Sequence, residues 1–214
     1  MKFWCYLLSI HFLLCINLAA QHKILAEGYK AISFDTLSIY MLCKGTKSKM
    51  PIVARQFNYE DTNSTHVGIG LVINGKLVIY NMVNTSREIA LRQDSMGSFL
   101  QDETVFYFSI WKANGTQLEL KRLRSFIEKK VNSRPGFDNM FDLNNGDQLL
   151  YCSEFCLKAL IAANKKKYSF QPRVISLENQ LFENILKRKI LKYMPVDFFQ
   201  RSTYFKKLYE QYLP

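Results

Sequence analysis

Histidine is scarce in this chain of 214 residues, with three in all. His11 lies in an apolar leader and His22 just beyond it, so only His66 remains for a folded body. A mechanism that needs two imidazoles is excluded. The five cysteines contain no C-x-x-C pair, and with one usable histidine no zinc site or other metal centre is predicted. Acidic residues are short as well: 18 against 29 Lys and Arg, a formal charge of +11. Such a surplus favours anionic partners, among them cell-wall polymers and acidic lipid surfaces, although a soluble basic surface is the plainer reading. The chain also lacks internal repeats, low-complexity tracts and an obvious linker. At 48% apolar and 14% aromatic residues it has the material for one real core.

The first twenty residues read as a secretory signal peptide. Lys2 opens it, Phe3 to Ile16 carry no charge, and Asn17-Leu18-Ala19-Ala20 lead into polar Gln21. An uncleaved anchor is the competing reading, since the run is near the lower length limit for a bilayer span. With the leader set aside, residues 21–214 form a single domain, and export to a bacterial periplasm or cell envelope is expected. Export makes nucleic acid a poor partner. The acceptor triplet Asn63-Ser64-Thr65 adds to the bacterial reading, because a glycan on Asn63 would crowd His66. Removal of Cys5 and Cys15 leaves Cys43, Cys152 and Cys156. The last two are one helical turn apart, where a disulfide is difficult to form, so the thiols need another reason to be there.

The clearest elements follow His66. Residues 66–73 alternate glycine with large apolar side chains, Asn74-Gly75 supplies the positive φ of a tight turn, and residues 76–83 read as the returning strand. Gly68 and Gly70 share one face and let another element approach it. Residues 104–111 predict a third strand. Thr116 and Glu119 form a capping box ahead of a helix with Leu120, Leu123, Phe126, Ile127 and Val131 at helical spacing, ended by Pro135-Gly136. A buried helix is expected to start near Tyr151 or Cys152 and to run through Ala163. Two more helices are predicted over residues 181–193 and 204–212, and residues 26–59 carry no assignment. An antiparallel sheet with segregated helices is α+β.

A thiol hydrolase needs a thiolate, a base and a group that orients the base. Cys152, in the first turn of its helix, feels the positive end of the dipole and has free backbone N–H groups beside it. A lone cysteine at a helix start is more often structural, and Cys156, a turn further on, reads as inert core. His66 is the one base on offer. Asn81, polar in an apolar strand, lies across the hairpin from it and either fixes the imidazole tautomer or faces water at a sheet edge.

These residues carry a resemblance. Thr65-His66-Val67-Gly68-Ile69, followed far downstream by Tyr151-Cys152-Ser153-Glu154-Phe155, resembles the permuted papain-like amidases of the YiiX and YaeF type in the NlpC superfamily. Residues 137–142 resemble the acidic-aromatic stretch before the family's cysteine, and residues 195–199 its closing segment. The family's Gly-Asp-Ile opening near the N-terminus is absent. The resemblance implies a circularly permuted papain-like fold with Cys152 as nucleophile, His66 as base, Asn81 as third residue and no cofactor. Its third residue is often a carboxylate; an asparagine orients the ring but does not neutralise imidazolium. Tyr151 either lines the substrate site or is a structural aromatic. Asp138 and Asp142 are expected to fix a loop, and Glu154 to serve its own helix N-terminus. The implied activity is cleavage of an amide, in a cell-wall peptide or a lipid-linked acyl group. A papain-like binding module without efficient turnover and a basic adaptor on anionic wall polymer are the rival readings.

Overall fold

The computed structural model describes residues 28–47, 54–84, 90–101 and 104–212; the expected leader lies outside them. In chain order the strands are β1 (Ser38–Thr46), β2 (His66–Ile73), β3 (Lys76–Met82), β4 (Leu91–Asp94) and β5 (Val105–Asn114). Short β6 (Gly136–Phe137) and β7 (Leu149–Leu150) follow, then β8 (Arg173–Ser176), β9 (Ile190–Tyr193) and β10 (Lys206–Tyr212). The helices are α1 (Met96–Phe99), α2 (Gln117–Ser133), α3 (Cys152–Asn164) and α4 (Gln180–Leu186).

Six strands make one antiparallel sheet in the order β10-β5-β1-β2-β3-β4, so the architecture is α+β as expected. The β2–β3 hairpin turns at Asn74 (φ 50°) and Gly75 (φ 75°), the pair of positive φ values a two-residue loop demands. Alternation then divides the side chains of each strand between two cores. Ile39, Met41, Val67, Ile69 and Leu71 face α2 and α3, while Tyr40, Leu42, Ile79, Phe99 and Phe108 pack on the other side. Helix α2 begins at its capping box, with Thr116 Oγ1 accepting from Glu119 N–H at 3.2 Å and Glu119 Oε2 accepting from Thr116 N–H at 2.7 Å.

Three stretches differ from their sequence reading. Unassigned residues 38–46 form β1, the strand between β2 and β5. The helix expected over residues 181–193 stops at Leu186, because Lys187 turns left-handed (φ 50°) and residues 190–193 pair with β8. The helix expected over residues 204–212 is β10, an edge strand whose backbone groups are taken up by β5. There a tertiary ladder overrides local propensity.

Candidate active site

The start of α3 is held from both sides of the nucleophile candidate. Tyr151 Oη accepts the Met194 N–H at 2.9 Å and Ser153 Oγ donates to the Met194 carbonyl at 2.6 Å. Cys152 is thereby fixed as the first residue of the helix, 6% exposed. Its thiol feels the N–H dipoles of Val67, Ser153 and Cys152 itself, which favour the thiolate.

The Val67 contact follows from the hairpin. Counting back from the closing pair Ile73–Lys76, every second residue of β2 turns its N–H and C=O toward β3: Leu71, Ile69 and then Val67. The ladder ends at Ile69–Tyr80, so the polar groups of Val67 are left to α3. The N–H acts on the Cys152 thiol through its dipole, and the Cys156 thiol donates weakly to the carbonyl at 3.9 Å. Cys156 is 0% exposed in the core.

His66 lies on the Gly68 face of β2, against the Phe99 ring with centroids 5.8 Å apart. Its Nε2 is 3.0 Å from Asn81 Oδ1 on the same face. Gly68 makes room for this. A Cβ there would stand 2.8 Å from Ile79 Cγ2 and 3.1 Å from Asn81 Cβ. The ring packs with Phe99 on one face of β2, while Cys152 belongs with Val67 to the core on the other, so the two side chains meet the strand at neighbouring residues on opposite faces. Among the described residues no hydrogen bond joins them, and His66 Nδ1 has no hydrogen-bond partner.

Behind Asn81 stands a residue the sequence did not single out. Asn81 Nδ2 donates to Asp94 Oδ2 at 2.9 Å, and Asp94 Oδ1 accepts from Ser98 Oγ at 2.9 Å and Arg92 at 3.1 Å. The relay has one self-consistent set of protons. A carboxylate only accepts, so Asn81 must show it the amide NH₂ and turn Oδ1 to the imidazole. Nε2 must then carry the hydrogen, and Nδ1 keeps the lone pair that can take a proton. The missing negative charge of an asparagine third residue is supplied one step further out. Only the pairing Ile79–Asp94 in β3–β4 sets Asp94 there, and nothing in the local sequence Leu91-Arg92-Gln93-Asp94 marks it.

Electrostatics make the resting pair neutral. Burial first, then the ammonium of Lys44 across the β1–β2 pair, press the His66 pKa down to about 3, against the pull of Asn81 and Asp94. Lys44 Nζ is anchored on the Phe99 carbonyl at 2.7 Å. Burial pushes the Cys152 thiol up, and its N–H contacts draw it partly back. Cys43 and Cys156 are pushed well above the ordinary thiol value.

Tyr151, a candidate for the substrate site, is wholly buried: it stacks on Tyr193 at 5.3 Å and 16° and meets Phe141 edge-on. Its place is that of a core aromatic, the structural alternative of the sequence reading. Asp138 accepts the N–H groups of Met140 and Asp142 and fixes their loop. Glu154 is fully buried and paired with Lys158 at 2.8 Å, and burial lifts its pKa to about 7. In the closing segment, Asp197 accepts from the N–H groups of Tyr59, Glu60 and Asp61, tying down the approach to His66. Among the described residues no three His, Cys, Asp or Glu stand together as a metal site.

The fold is similar to the crystal structure of the metalloprotein YiiX from Escherichia coli O157:H7, with a TM-score of 0.64 and 13% identity over 84% of this chain and 99% of that one. At that identity the likeness is one of fold. No family model and no curated protein matches the chain.

Proposed function

We propose that the chain is a cysteine hydrolase of permuted papain-like type that cleaves an amide through a Cys152 thioacyl intermediate. The observation that carries this reading is the relay His66–Asn81–Asp94, which leaves the Nδ1 lone pair free at the residue next to Val67, whose N–H acts on the Cys152 thiol. In the first half-reaction Nδ1 takes the thiol proton, sulfur bonds to the acyl carbon, and the C–N bond breaks as the imidazolium hands its proton to the leaving amine. Water then attacks the thioester with His66 as base, releasing the acid and restoring the thiol. The N–H groups at the start of α3 are placed to meet the developing oxyanion. The proton moves within a neutral pair rather than from a preformed ion pair, as the depressed imidazole requires.

The substrate class is an amide of the bacterial cell envelope, a wall peptide or a lipid-linked acyl group, met after export behind the leader of residues 1–20. YiiX is described as a metalloprotein. Among the described residues of this chain no three His, Cys, Asp or Glu stand together as metal donors.

A second reading, a binding module with slow turnover, is favoured by one observation: the thiol is 6% exposed and has no hydrogen bond to the imidazole. Acyl trapping separates the two. Incubation with p-nitrophenyl octanoate is expected to add one octanoyl group on Cys152, released by hydroxylamine and absent from Cys152→Ala. An unmodified wild-type chain would leave the binding module standing and remove the enzyme.

A further inference from the structure

The β8–α4–β9 unit carries apolar side chains outward. Val174 is 67% exposed, Leu181 60%, Ile185 42% and Ile190 63%, four of the ten large hydrophobics exposed among the described residues. Their placement is regular. Leu181 and Ile185 are one turn apart on the outer face of α4, while Leu186 is 1% exposed on the inner one. In the two-stranded sheet Val174 lies opposite Lys192, and Ser176 opposite Ile190, so these four share the solvent face. Ile175 is half-buried and Leu191 and Tyr193 are wholly buried on the other.

Cations surround the aliphatics. Lys187, Arg188 and Lys189 follow α4 directly, Lys192 lies between Val174 and Ile190, and among the described residues none of the four is paired with a carboxylate.

We propose that this unit docks on the surface of an anionic lipid bilayer, aliphatics into the headgroup boundary and ammonium and guanidinium groups on lipid phosphates. A second copy of the chain would set the same four cations against one another, and a plain apolar partner would strand them. An anionic bilayer meets both halves of the surface. With seven residues α4 is far shorter than the roughly twenty that span a bilayer. It lies along the interface.

The unit is coupled to the candidate active site. β9 runs into Tyr193, stacked on Tyr151, and into Met194, which bonds both Tyr151 and Ser153 on either side of Cys152. Docking therefore brings the nucleophile to the membrane and selects a membrane-borne acyl amide over a soluble peptide. That last step rests on the hydrolase reading; the docking does not.

Hydrogen exchange on the full chain tests it. Vesicles of phosphatidylglycerol and phosphatidylcholine are expected to slow the amides of residues 180–192 roughly tenfold, and phosphatidylcholine alone or heparin to leave them unchanged. Leu181→Ser with Ile185→Ser, and separately Lys187→Gln with Lys189→Gln, should abolish the protection while circular dichroism stays native. The single Leu181→Ser serves if the pair unfolds. Protection confined to residues 1–20, or equal protection by heparin, overturns the proposal. Cys152→Ala should dock normally. A chain that docks but never acylates sinks the hydrolase alone, and one that acylates without docking sinks this inference alone.

Discussion

Replacing Asp94 by asparagine isolates the role of the outer carboxylate, because shape is kept and only the charge and its acceptor character are lost. In the native chain that carboxylate, 5% exposed, compels Asn81 to present NH₂ outward and Oδ1 to His66. A hydrogen bond to a charged group contributes about 1.5–3 kcal/mol and a neutral one about 0.5–1.5. Asp94→Asn therefore removes about 1–1.5 kcal/mol of preference between the two settings of the relay, roughly tenfold in their ratio. With an amide in place of the carboxylate, the outer group can donate. Asn81 then turns over in part of the molecules, where its NH₂ faces Nε2 and the ring proton sits on Nδ1.

Nitrogen-15 NMR of the imidazoles reads this directly, since the chain has only three histidines. In the native protein Nδ1 of His66 should resonate as the unprotonated nitrogen and Nε2 as the protonated one. In Asp94→Asn the two should become a mixture, and carbamidomethylation of Cys152 at pH 7 should slow about tenfold. Identical spectra and rates in the two proteins would refute the relay.

Other consequences follow from the same contacts. Gly68→Ala places a Cβ 2.8 Å from Ile79 and 3.1 Å from Asn81, so it should cost about 1–3 kcal/mol in urea unfolding and break the His66–Asn81 bond in the NMR spectrum. His66 is held neutral, with a pKa of about 3 against an ordinary 6.5. Its contribution is full above pH 6.5 and falls away as pH drops toward 3, by up to a few kcal/mol. Unfolding midpoints from pH 7.5 to 4 should show that slope, and His66→Asn should flatten it. Asp147 pairs with buried Lys130 at 2.7 Å and with Lys158 at 2.9 Å, which hold its pKa down to about 2. Asp147→Asn leaves Lys130 unpaired in a 4% exposed site and should cost about 1–3 kcal/mol, whereas Lys130→Met, which removes the buried charge itself, should cost less.

The parts of the fold legible in the sequence are those governed by local chemistry. Asn74-Gly75 announces its hairpin, Thr116 and Glu119 announce α2, and the turn residues Asn144-Asn145-Gly146-Asp147 announce the start of α3. Strand β1 was not legible because it is covered on both sides: Ile39, Tyr40, Met41, Leu42 and Cys43 are all 0% exposed, and a strand buried on both faces loses its alternation. β10 misled for the opposite reason. Tyr204, Leu208 and Tyr212 recur at helical spacing, yet the unpaired edge of β5 claims the segment. Of the candidate site, His66, Asn81 and Cys152 could be read from residue type, scarcity and family resemblance. Asp94 could not, since a strand pairing thirteen residues past Asn81 is what makes it a neighbour.

The central claim is that His66 activates Cys152, and selective alkylation measures it most directly. Iodoacetamide at pH 7, followed by peptide mapping, should label Cys152 well ahead of buried Cys43 and Cys156, and His66→Ala should remove that lead while leaving the other two rates as they were. A Cys152 that reacts no faster than Cys43, or keeps its native rate without the imidazole, would contradict the account.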